Sequence, residues 1–227
     1  DSRRRIGEEL VDQLTEIHAI DYEAVGLEEF GHPDGYTERQ VGRWHKQFEW
    51  AFEVTADERP LPEVEAVGEW LEENVPEPPK HALVHGDYKL DNVMFAPGTP
   101  PELVCVLDWE MSTLGDPLAD LGWLLHYWRD PEEPDHESDA GPAFTAREGY
   151  HTRRELVDRY ESQTGIDFEN ERFYRAFTSF KMGGIGEMFF RRHLEGNADN
   201  PTYPLMEELV PERVERAQEH IEGTAPL

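Results

Sequence analysis

Between residues 81 and 107 the apolar residues of this chain stop recurring at helical spacing and gather into three short runs. Ala82-Leu83-Val84 is the first, Asn92-Val93-Met94-Phe95 the second, and Leu103 to Leu107 the third. Runs of this length suit strands, and the connection over 96–102, with Pro97, Gly98, Pro100 and Pro101, suits a hairpin between the second and third. No other stretch offers strand patterning. The fold class is therefore α+β and mainly helical, with a small β-hairpin at its centre.

The helices are read from periodicity. Ile6, Leu10, Leu14 and Ile17 predict a helix over 6–20; Val41, Trp44, Phe48 and Phe52 predict one over 38–53; Val64, Val67, Leu71 and Val75 predict one over 61–75. Residues 21–37 read as an ordered loop, and Pro76, Pro78 and Pro79 stop the third helix. Further helices are predicted over 117–129 and over 203–222, with Pro211 a start or kink, and Thr145 with Glu148 reads as the capping box of a helix ending near Gly165. The stretch 169–194 is helical, but Gly183, Gly184 and Gly186 predict a bend or break. Residues 130–143 read as an acidic mobile loop. The chain divides into a leading helical part (1–80), the hairpin region (81–122) and a second helical part (123–227).

Composition narrows the partners. The chain has 227 residues, enough to bury a real core, and 21 Lys plus Arg against 50 Asp plus Glu, a net charge of −29. Such a chain repels polyanions, so nucleic acid is excluded as a partner. No apolar run approaches the ~20 residues that cross a bilayer, so no membrane partner is expected. The lysines are Lys46, Lys80, Lys89 and Lys181, and the other cations are arginine. Acid-rich and lysine-poor composition predicts a halophilic, cytoplasmic protein, because molar salt shrinks the Debye length to ~3 Å and relieves self-repulsion. Cys105 is the single cysteine, which fits a reducing compartment; its apolar neighbours predict a packed core thiol.

The chemistry-bearing residues cluster around the hairpin. His85-Gly86-Asp87-Tyr88-Lys89-Leu90-Asp91-Asn92 leaves one strand and enters the next, and Leu107-Asp108-Trp109-Glu110 ends the third. Hairpin pairing sets Asn92 beside Asp108, with Asp87 near both. Oxygen donors of this kind suit Mg²⁺, and a further carboxylate can accept a proton from a hydroxyl. These are the parts of phosphoryl transfer. Asp116 before Pro117 reads as a helix N-cap, and Asp91 and Glu110 as supporting residues.

His-Gly-Asp-x4-Asn followed by Leu-Asp-Trp-Glu resembles the aminoglycoside phosphotransferase and choline kinase superfamily, which is related to protein kinases. The longer stretches Val84–Asn92 and Val106–Gly122, with Ile17-His18-Ala19-Ile20-Asp21, resemble the branch whose kinase-like domain is fused to acyl-CoA dehydrogenases in some proteins. The resemblance implies the C-terminal lobe of a protein-kinase-like fold and an ATP- and Mg²⁺-dependent transfer to a small-molecule hydroxyl, on a hydroxyacyl or acyl-CoA-like acceptor. It implies Asp87 as catalytic base and Asn92 and Asp108 as the metal ligands that hold the nucleotide. Lys89 would stand against the γ-phosphate, a salt bridge to Asp91 or Asp87 being its alternative role. His85 and Asp120 would be structural, with Asp120 fixing the catalytic-loop backbone.

The acceptor would be met by helices after Asp108. Trp123, Tyr127 and Trp128 offer aromatic surface, or helix core at 3.6-residue spacing. Lys181, Arg191, Arg192 and His193 read as a local cation cluster, or as surface ion pairs. The sequence lacks the glycine-rich loop and the Val-Ala-x-Lys strand of an N-terminal nucleotide lobe before residue 81, so that lobe is expected to be missing and the chain to bind nucleotide poorly alone. The alternative is a non-catalytic kinase-like binding module. A metal-dependent phosphohydrolase fits less well, because His18, His45 and His81 lack ligand spacing.

Overall fold

The computed structural model describes residues 2–131, 143–197, 199–225 and 227. Three helices lead: α1 (Ser2–His18), α2 (Tyr36–Thr55) and α3 (Glu63–Glu73). Four short strands follow, β1 (Ala82–Val84), β2 (Val93–Phe95), β3 (Leu103–Val106) and β4 (Thr113–Gly115), and then α4 (Pro117–His126), α5 (Arg153–Thr164), α6 (Glu171–Leu194) and α7 (Met206–Glu222). Single 3₁₀ turns lie at Leu90–Asn92, Trp109–Met111 and Ala143–Ala146.

β2 and β3 form the expected antiparallel hairpin, with Val93 opposite Val106 and Phe95 opposite Leu103. β1 pairs with β4, Val84 opposite Thr113, a strand the apolar pattern does not disclose because it is three residues long. Two-stranded ladders are marginal alone. These are supported by α1, which packs on β1 and β3, and by α4, which packs on β1. The apolar stripe of α1, Leu10, Val11, Leu14 and Ile17, is wholly buried there.

α6 is the central helix, packed against α2, α4 and α7. It is buried on most of its circumference, so its apolar residues show little one-sided pattern. It runs unbroken from Glu171 to Leu194, so its glycines do not break it. Those glycines serve packing instead: a Cβ on Gly186 would lie 2.7 Å from Val210 Cγ2, so the missing side chain is what lets α7 approach. Pro211 stands inside α7, one turn from its start.

The capping box also falls elsewhere than expected. Thr152 and Glu155 form it, each side chain bonding the other's backbone N–H, and α5 ends on Gly165 in the left-handed conformation. Gly149, at φ 96°, prevents one helix from running through from Thr145. Thr145 Oγ1 instead accepts from the backbone N–H of Arg129. Cys105 is exposed rather than packed, because a bulge interrupts the alternation along β3: Leu103 pairs with Phe95 and turns inward, Val104 is the extra residue, and Cys105 pairs with the exposed Met94. Most of the acidic stretch expected to be mobile lies outside the described residues. Among those described, no helix is long and apolar enough to cross a membrane.

Candidate active site

The loop from His85 to Asn92 is pinned from three sides. Tyr88 is fully buried and its hydroxyl donates to the Leu10 carbonyl over 2.8 Å, anchoring the loop in the core through α1. Asp120, in the first turn of α4, accepts from the backbone N–H of His85 (2.6 Å) and of Gly86 (2.8 Å), the task the resemblance implies for it. Gly86 has φ 82°, and a Cβ there would lie 2.6 Å from the Met111 carbonyl oxygen, so only glycine fits. Burial alone would raise the Asp120 carboxyl; bonds from His18 and these two N–H groups outweigh it and hold Asp120 below the usual carboxylate range.

His85, completely buried, ties the loop to the hairpin. Its Nε2 lies 2.8 Å from the Leu107 carbonyl and its Nδ1 is 3.2 Å from the Asp87 amide. A carbonyl can only accept and an amide N–H can only donate, so the ring is protonated on Nε2. One imidazole thus spaces Asp87 from the end of β3.

Asp87 stands at the centre. Its Oδ1 accepts from Trp123 Nε1 over 2.7 Å, and Lys89 Nζ lies 2.9 Å from both of its oxygens. Asn92 Nδ2 donates to Asp87 Oδ2 and to the Asp87 carbonyl, both at 2.8 Å. Both partners are acceptors, which fixes the amide orientation and leaves Asn92 Oδ1 outside these bonds. The Asn92 carbonyl accepts from the Leu107 N–H at 2.8 Å, so the residue before Asp108 is bonded directly to Asn92.

Asp108 is exposed and has φ 63° and ψ 58°, the only non-glycine residue with positive φ among those described. Holding a side-chain-bearing residue there costs about 1–3 kcal/mol. Among the described residues no hydrogen bond or ion pair engages its carboxylate. Asn92 Oδ1 and the Asp108 carboxylate are hard oxygen donors on adjoining backbone. They suit Mg²⁺, which takes one or two protein ligands and completes its shell with water and phosphate oxygens. No group of three His, Cys, Asp or Glu side chains converges on a metal among the described residues.

Trp123 and Lys181 are the neighbours that sequence reasoning weighed least well. Trp123 is 5% exposed, as a core residue would be, yet its N–H serves Asp87. Lys181 Nζ sits 3.7 Å from the centre of the Trp123 ring and donates to the Gly86 carbonyl at 3.1 Å. Burial pushes it down to about 8. It does not cluster with Arg191, Arg192 and His193 as expected: Arg191 lies over Trp50 and pairs with Glu53 and Glu195, and the other two are exposed. Tyr127 lies under Lys89, whose Nζ is 4.9 Å from its ring centre, while Trp128 is core. Asp116 caps α4 by accepting from the Leu118 N–H at 3.0 Å, as its place before Pro117 suggests.

The profile of the phosphotransferase enzyme family matches residues 1–156. Acyl-CoA dehydrogenase family member 11 of Rattus norvegicus is 35% identical over 192 residues, which are 83% of this chain and 24% of that protein. The chain therefore spans about a quarter of the length of that curated relative. A Ralstonia eutropha protein assigned to the aminoglycoside phosphotransferases superposes with a TM-score of 0.83 at 29% identity, over 96% of this chain and 65% of that one. A spectinomycin phosphotransferase, solved with ADP and spectinomycin, shares the fold with a TM-score of 0.51 at 12% identity, over 95% of this chain and 65% of that one. With its pinned His-Gly-Asp loop and kinase-like fold, the chain belongs to the phosphotransferase enzyme family.

Proposed function

We propose that this chain is the C-terminal lobe of a small-molecule kinase that transfers a phosphoryl group from ATP to a hydroxyl. The observation that carries the reading is the junction of Asp87 with Asn92 and, through the Asn92–Leu107 backbone bond, with Asp108. Asp87 accepts the proton of the acceptor hydroxyl and orients its oxygen for in-line attack. Trp123 and Asn92 hold that carboxylate in one rotamer. Asn92 and Asp108 hold Mg²⁺, which neutralises charge on the nucleotide phosphates when bound. Lys89, within reach of Asp87, offsets charge on the transferred group once substrate displaces it from the ion pair. The likeness to an acyl-CoA dehydrogenase family member supports a hydroxyacyl-type acceptor, and the acidic, lysine-poor surface supports a salt-adapted cytoplasmic setting.

The test is Asp87→Asn, assayed for phosphoryl transfer from Mg-ATP to a panel of hydroxylated small molecules. A loss of about 10²–10⁴-fold in kcat is expected, the usual worth of a positioned general base, with the circular dichroism spectrum unchanged. Turnover at the wild-type rate would remove Asp87 from the mechanism.

A further inference from the structure

The peptide unit that leads into Asp87 is held at both of its polar atoms. Its oxygen, the Gly86 carbonyl, accepts from Lys181 Nζ at 3.1 Å, and its nitrogen, the Asp87 N–H, donates to His85 Nδ1 at 3.2 Å. Gly86 is a soft point of this loop, because no Cβ restricts it and its φ is 82°. Asp120 secures the Gly86 N–H, and Lys181 secures the Gly86 carbonyl. The unit is planar, so fixing it fixes the direction in which the Asp87 side chain leaves the backbone.

Lys181 reaches the same carboxylate by a second route. Its Nζ lies 3.7 Å from the centre of the Trp123 ring, whose Nε1 donates to Asp87 Oδ1 at 2.7 Å. The Trp44 ring is a more distant neighbour, at 6.0 Å. One ammonium on α6 therefore engages both the backbone before Asp87 and the indole that bonds its side chain. Both contacts draw on the charge. A ring face attracts a cation and not a neutral amine, and a hydrogen bond from a charged donor is roughly twice as strong as one from a neutral donor.

The residue type matters as well. A guanidinium would stay charged throughout, whereas an ammonium readily loses its proton when buried. Burial is the largest cause that lowers Lys181, to about 8. The carboxylates of Asp120 and Asp87 oppose it, and Arg43 and Lys89 add to it. These groups come from every side: Arg43 and Trp44 from α2, Asp120 and Trp123 from α4, and Asp87 and Lys89 from the loop.

We propose that Lys181 is a positioning residue for phosphoryl transfer, its ammonium holding the Gly86 carbonyl and the Trp123 ring so that Asp87 faces the acceptor hydroxyl. The assignment rests on the phosphotransferase reading of Asp87. It gives turnover and stability opposite responses to alkaline pH. Between about 8 and ~10.4 the fold gains as the buried charge is lost, while Asp87 loses support over the same window.

The first test reads the indole without turnover. The Trp123 indole ¹H–¹⁵N peak of the 227-residue chain, identified by its absence in Trp123→Phe, should move in one titration step near pH 8. His126 stacks on Trp123, centroids 6.3 Å apart, but burial and nearby guanidiniums push it down to about 3, outside this range. The step should be missing in Lys181→Met and in Lys181→Arg. A step that persists in Lys181→Met, or no step in the wild type, overturns the coupling.

The second test follows transfer from Mg-ATP to a panel of hydroxylated small molecules between pH 6.5 and 10. In the wild type kcat should fall about tenfold through pH 8, with nucleotide KM unchanged. Lys181→Met should keep the lower kcat at every pH, and Lys181→Arg should keep turnover on the alkaline side. A fall near pH 8 that survives in Lys181→Arg belongs to another group, such as Lys89, and overturns the assignment, as does an unaltered kcat in Lys181→Met. Should Lys181→Arg fail to fold, the flat pH profile of Lys181→Met carries the comparison. If the wild type phosphorylates nothing, the phosphotransferase reading fails and the positioning role with it, whereas the indole step still establishes that Lys181 governs the Trp123 donor.

Discussion

Trp123 donates its indole N–H to Asp87 Oδ1 over 2.7 Å while the face of the same ring carries the ammonium of Lys181 at 3.7 Å. A cation against the ring draws density from the indole and strengthens its N–H as a donor. Trp123→Phe keeps most of the packing and removes the bond to the carboxylate. Hydrogen bonds to charged groups are worth about 1.5–3 kcal/mol. Steady-state kinetics should show kcat reduced about 10- to 100-fold with little change in nucleotide KM. An unaltered kcat would mean that Asn92 and Lys89 suffice to orient Asp87.

Lys181 makes stability depend on alkaline pH. Its folded value is about 8, against ~10.4 for a free lysine. Between these values the unfolded chain binds more protons than the folded one, so this group's contribution rises with pH across that window. Urea titrations of wild type and Lys181→Met at pH 7, 8.5 and 10 should show the wild type gaining on the variant as pH increases. A constant difference would show that Lys181 titrates alike in both states.

Asp120 gives the opposite sign. Held below its ordinary range in the folded chain, it contributes stability that is complete above the unfolded value near ~3.9 and is lost as pH falls through the folded value. Asp120→Asn turns one acceptor oxygen into a donor facing either the His85 or the Gly86 amide. The variant should lose about 1–3 kcal/mol at pH 7, and the gap should narrow as pH drops below ~4. Denaturant midpoints at the two pH values measure it.

Net charge of −29 makes the compact state self-repulsive. Raising NaCl from 0.1 to 1 M shortens the Debye length from about 10 to about 3 Å. The thermal midpoint should climb through this range, and it should climb less in a variant with several exposed glutamates changed to glutamine. A midpoint insensitive to salt would place the acidic surface outside the stability balance.

How much of this was legible beforehand can be argued from particular residues. Asn92 is bonded to Asp87 and stands beside Leu107, the residue before Asp108, because a hairpin is a local structure: once Val93 pairs with Val106, neighbours in sequence become neighbours in space. Asp116 before Pro117 announced a helix start for the same reason. The Thr145 capping box, the break in α6 and the buried Cys105 were misread because a local pattern has rivals. Gly149 interrupts the chain after Thr145, the glycines of α6 admit α2 and α7, and a bulge in β3 turns Cys105 outward. One face of α7 does carry Arg213, Arg216 and His220 at helical spacing, and α6 carries Arg175 and Ser179 four apart, a signal that could have pointed to a polar interior.

The sequence by itself determined the helical periods, the hairpin and the three oxygen-bearing side chains upon it, since all of these rest on residues a few positions apart. Only the tertiary structure decided that Lys181 lies over Trp123, that Asp120 holds the backbone of His85, and that arginines and histidines of α4 to α7 line one cavity. The first two join residues 58 and 35 positions apart. They are set by how apolar faces pack and which buried charges then find partners, and neither is written in any single stretch of the chain.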